Sequence, residues 1–251
     1  MKFMISLPFF LCSCLISDSC IPVQQDYQGF VDKITSYHEK AGFIKKGTGK
    51  TIDTNKFKVN DYFSLFDKIK MEKGWKLHFY YHYDGMGGYP VFMALRENQA
   101  FEKVFPSEEK SSAVWKYVDS IPLFDHIEVD PSPMGYFQYM VFLLKGSNFA
   151  LFWHSGYGFN ELLCSKKACN ELASRKVDYL KFNTEQKNKL RNLNPEPVIE
   201  ETADSCFIQL HLFNAWAGVT KMNFAISKVF PHRIKRGKEE LIMQYSCGLI
   251  F

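Results

Sequence analysis

No stretch of this chain holds the run of about 20 apolar residues that a membrane crossing requires. The longest apolar run, Phe3 to Ile16, is nearly unbroken but stops short. Charge of one sign is also scarce. With 31 Lys and Arg against 27 Asp and Glu, the formal net charge is +4 over 251 residues. That balance argues neither for a nucleic-acid footprint nor for strong attraction to a membrane surface. No Asn-X-Ser/Thr acceptor occurs, which fits a bacterial exported protein better than a eukaryotic one. No internal repeat and no low-complexity linker divides the chain, so neither a solenoid nor a string of small modules is expected.

Complete catalytic and cofactor signatures are missing too. Gly47-Thr48-Gly49-Lys50-Thr51 ends like a phosphate-binding loop, but the required first glycine is Ile44. No strand precedes it and no helix follows, so it reads as a solvated loop. Ser155 in His154-Ser155-Gly156-Tyr157-Gly158 lacks the glycine two residues earlier that a nucleophile elbow needs. No cofactor and no metal site is assigned.

What is present begins at the N-terminus. Lys2, the apolar run to Ile16, and then Ser17, Ser19 and Cys20 have the layout of a secretory leader: a short basic start, an apolar core, small residues at the exit. Residues 1–19 are therefore expected to be a signal peptide and residues 20–251 one domain. Leu11-Cys12-Ser13-Cys14 resembles the lipobox of bacterial lipoproteins. The resemblance implies export to the cell envelope and a lipid on Cys14. Cleavage after Ser17-Asp18-Ser19 is the other exit, with Cys20 as the alternative lipid acceptor or with free secretion.

The body carries four of the seven cysteines, Cys164, Cys169, Cys206 and Cys247. The first two read as members of one helix starting at Asn160, about 7.5 Å apart along its axis and on different faces, too far for a disulfide. Cys206 and Cys247 sit in strand-like segments and form the one candidate disulfide.

Apolar residues make up 46% of the chain, enough for a sizeable core. Aromatics reach 16%, with 24 Phe and 13 Tyr, a composition suited to strands. Helical spacing runs from Tyr27 to Ala41, from Asp61 towards Gly74, from Ser107 to Asp119 and from Thr184 to Leu193. Period two marks Trp75 to Tyr83, paired through the turn Asp84–Gly88 with Tyr89 to Leu95. Further strands are expected at Phe124–Val129, Cys206–Phe213, Val219–Phe230 and Leu241 onward. Met134–Leu144 and Phe149–His154 are expected to form a hairpin. Short turns between strands mean antiparallel pairing. The fold class is α+β, with a central antiparallel sheet and helices packed mainly on one face.

The most chemical surface is one side of the first long strand. His78, Tyr80, His82 and Asp84 alternate with Leu77, Phe79, Tyr81 and Tyr83, so they share a face. That face is expected to be wet, with the apolar side on the core. His154 and His211 also fall in strands. If those strands neighbour the first hairpin, the imidazoles could serve a metal or general acid–base chemistry. The functional expectation is a non-catalytic exported lipoprotein that binds a protein or small molecule, touches the membrane through its lipid and does not bind nucleic acid. The alternative is a metal-assisted envelope hydrolase using the His78/His82/Asp84 face.

Overall fold

The computed structural model describes residues 25–46, 49–53, 56–106, 110–153, 160–177 and 180–247. The leader with Cys14 and Cys20, and His154, lie outside them.

The first helix, α1 (Tyr27–His38), starts where the Asp26 side chain accepts the Gly29 amide and buries Val31 and Ile34. A hairpin, β1 (Phe43–Lys46) and β2 (Gly49–Ile52), follows where the sequence reads as loop with at most a short strand. The helix expected from Asp61 is only the short α2 (Val59–Phe63), and Ile69 belongs to β3 (Ile69–Met71). Then come β4 (Trp75–Tyr83), β5 (Gly87–Arg96), the single-turn α3 (Phe101–Val104) and α4 (Lys110–Ser120). A 3-10 turn at Leu123–His126 leads into β6 (Ile127–Val129).

The main correction is α5 (Pro133–Lys145), a helix where a strand is expected. Ser132 caps it by accepting the Gly135 amide, with Pro133 at the first helical position. Its residues from Tyr136 to Phe142 are all buried. A helix with no polar side has no 3.6-residue contrast to read. The strand β7 (Phe152–Trp153) pairs with β5 instead. Residues after Asn160 also differ from expectation: β8 (Glu161–Leu163) comes first, and Ser165 caps α6 (Lys166–Ser174). A reciprocal cap between Asn183 and Gln186 opens α7 (Thr184–Asn192). The chain closes with β9 (Val198–Glu201), β10 (Ser205–Asn214), β11 (Gly218–Ser227), β12 (Ile234–Arg236) and β13 (Glu240–Gln244).

The fold is α+β with antiparallel sheets. The largest sheet has six strands: β10 and β11 pair along their full length, β8 and β9 border β10, and β12 and β13 border β11. A second sheet, β4-β5-β7, stands apart from it, and β1-β2 and β3-β6 are two-stranded. Between the two main sheets lies α5. One core unites α1, α5, the Leu77/Tyr81 side of β4 and the Cys206/Ile208/Leu210/Leu212 side of β10. Behind the large sheet, α6 and α7 cover Phe213 and Val219.

Cys206 and Cys247 are free, so the candidate disulfide between them is not formed here. Register gives the reason. Cys206 faces Ile226 at one end of β11, whereas β13 pairs with Gly218–Lys221 at the other. Eight residues of strand, about 26 Å, lie between those ends, far beyond disulfide reach. Cys164 and Cys169 are free as well, and Cys164 precedes α6 rather than belonging to it.

Candidate functional site

The histidine side of β4 is present, but it is half-buried rather than open to water. His78, Tyr80 and His82 share a side with Met93, Val91 and Tyr89 of β5, their register partners. Over that side lie α3 and α4, forming a separate apolar cluster with Phe101, Phe105 and Val114. The His78 ring stacks on Phe101 at 4.6 Å, and His82 Nδ1 meets Ser111 Oγ at 3.0 Å. Asp84 belongs to the turn: its carboxylate accepts the Gly87 amide at 2.6 Å and the Met86 amide at 3.0 Å. Those bonds hold its carboxyl below the usual range.

His211 is in the other sheet, on β10, and is 3% exposed. It bonds the Pro195 carbonyl, its Nδ1 has no partner, and burial lowers its pKa. The structure therefore separates His78, Tyr80, His82 and Asp84 from His211, and no group of three or more His, Cys, Asp or Glu suited to a metal occurs among the described residues.

A buried polar chain that the sequence does not announce runs beside α5. Tyr62 donates its hydroxyl to the Gly146 carbonyl at 2.9 Å, so His38 Nε2, also at 2.9 Å, must donate to Tyr62. Burial pushes the His38 pKa down to about 3, with the Lys145 charge adding to the effect. Lys145 itself is 5% exposed, and burial lowers its pKa against the opposing pull of Glu161, Cys164 and Asp32. It closes the C-terminal turn of α5, where the helix dipole favours a cation. Nearby, burial pushes the Cys164 thiol up to about 12. Cys164 is thus a protonated thiol at neutral pH, inert as a nucleophile. These groups brace α1, α2 and α5 rather than present chemistry to solvent.

Open space lies on either side of Leu143, which is 36% exposed at the end of α5. On one side is a cleft of about 730 Å³, floored by Leu212, Met222 and Phe224 of the large sheet and walled by Leu144 and Ile234. On the other is a cleft of about 400 Å³ between β5 and α4, lined by Phe92, Trp115, Val118 and Phe124. Leu143 lines both. At the far end of the larger cleft, Asn214 Nδ2 donates to Asn160 Oδ1 at 3.2 Å, and its own Oδ1 accepts the Trp216 amide. At the rim, Arg236 and Glu239 form an ion pair. A further opening of about 550 Å³ crosses the opposite face of the large sheet, where Phe207 is 46% exposed.

No sequence pattern marks Leu143, Trp115 or Ile234 as site residues. The signal was Ser132-Pro133, a cap followed by a first-turn proline. Read as a helix start, it sets Leu143 and Leu144 on a helical surface instead of on alternate sides of a strand. No family model, no curated protein and no solved structure matches this chain.

Proposed function

We propose that this is an exported bacterial envelope protein, held by a lipid on Cys14 or Cys20, that binds a ligand without transforming it. The single observation that carries the binding part is the pair of apolar clefts meeting at Leu143. Concave, mainly apolar openings with a few polar groups are where small molecules bind. The compartment rests on the leader: Lys2, the apolar run and the lipobox-like Leu11-Cys12-Ser13-Cys14. The hydrolase alternative has little support in the geometry, since His78 and His82 lie under α3 and α4 and His211 is buried in a different sheet.

Metabolic labelling with a radioactive fatty acid in a bacterial host tests the anchor. Label should enter the wild type and be lost in Cys14→Ser or in Cys20→Ser. A chain that takes up no label and fractionates with the cytosol overturns the compartment.

A further inference from the structure

We infer that the two clefts flanking Leu143 form one trough for the aliphatic chain of a free, single-chain amphiphile, an inference that rests on the proposed ligand-binding role. Both clefts are walled mainly by carbon, and Leu143 belongs to both, so a linear ligand lying across it reaches each side. The larger amide and charged groups on the walls are engaged with one another. Asn160 is bonded to Asn214, and Arg236 to Glu239. The remaining polar side chains are the hydroxyls of Thr220, Ser147 and Tyr89 and the Trp115 indole.

Charge complementarity follows from that. Arg236 and Glu239 neutralise each other, so the trough suits an uncharged ligand body with its polar end left in water at the rim. A peptide fits worse. Each residue brings an N–H and a C=O that must be paired when buried, and an unpaired one costs several times what a buried methylene returns. A methylene chain brings no such demand. The trough is also recessed between α4, α5 and the large sheet rather than raised as a ridge, which suits one extracted chain better than a bilayer surface.

Displacement of a fluorescent polyene fatty acid by straight-chain alcohols, from decanol to hexadecanol, tests this on the full-length protein. Binding should tighten about fourfold per added carbon, the factor that corresponds to about 0.8 kcal/mol per buried methylene, until the trough is filled. Fatty acids of equal length should bind within about threefold of the alcohols, because the chain and not the head is recognised. Leu143→Gln should weaken binding by about tenfold or more, and Phe207→Gln, on the opposite sheet face, by less than about twofold. Ile234→Gln repeats the test from the sheet side should Leu143→Gln lose its far-UV circular dichroism signal.

No saturable binding by the wild type, affinity that does not change with chain length, or equal effects of Leu143→Gln and Phe207→Gln each overturns the inference. So does sedimentation with phosphatidylcholine vesicles that Leu143→Gln abolishes and straight-chain alcohols do not compete, because attachment through the anchor alone does not depend on Leu143. None of these outcomes touches the export reading, which fails only on the labelling and fractionation result.

Discussion

Tyr62 is buried with its hydroxyl held between two other buried groups, the His38 ring and the Gly146 carbonyl. A hydroxyl in that position is worth most through the partners it satisfies. Tyr62→Phe keeps the ring, which packs against Phe57, Phe66 and Phe149, but strands a donor and an acceptor. Urea unfolding should show a loss of about 1–3 kcal/mol. His38 adds a pH dependence. Its folded pKa is about 3, below the unfolded value of 6.5, so between those values only the unfolded chain takes up the proton. The histidine contribution should therefore be flat above about pH 7 and fall as pH drops through 6.5, by up to about 1.4 kcal/mol per unit for each such histidine. His211, lowered in the same direction, adds to the slope. His38→Asn should flatten the curve between about pH 6.5 and 5 by roughly one histidine's share; an unchanged slope would mean that His38 is not the neutral buried group described here.

At the scale of elements, β4 shows what alternation can and cannot tell. The period of two fixes which residues share a side, and β4 carries His78, Tyr80 and His82 on one side as read. It does not say whether that side meets water, because the helices that decide this come from Phe101 and Lys110 onward, nearly 20 residues or more along the chain. His82, expected to be a surface site, instead meets Ser111 and packs beside Trp115. His82→Ala should cost about 1 kcal/mol or more in chemical denaturation, above the about 0.5 kcal/mol of an ordinary surface change. A smaller loss would put α4 away from that side. Strong local signals were legible: the α1 and α7 patterns, and the long β10 and β11 strands. What was not legible depends on burial from both sides. Met134–Leu144 contains Tyr136, Phe137, Tyr139, Met140, Val141 and Phe142, all buried in the fold, and a run apolar on every side reads equally well as strand or helix. The candidate site is hidden with it, since Leu143 lines both clefts only when that segment is a helix.

Across the whole molecule, one helix between two sheets explains the core, the clefts and the thiols together. Most of α5 is sealed, and its one exposed residue is Leu143, which lines both clefts. Cys164, Cys169 and Cys206 are buried with raised pKa values. Protonated, enclosed thiols resist oxidation, so for these three cysteines an oxidising compartment and the absence of a disulfide are compatible. The export of a ligand-binding protein is the central claim, and one spectrum tests it most directly: the intact mass, under native conditions in mild detergent, of the protein drawn from its own host. The expected result is a chain beginning at Cys14 or Cys20, heavier by a covalent lipid and found in the envelope fraction, with an apolar adduct that dissociates on activation. A cytosolic chain of full-length mass, still carrying residues 1–19 and no adduct, would contradict it.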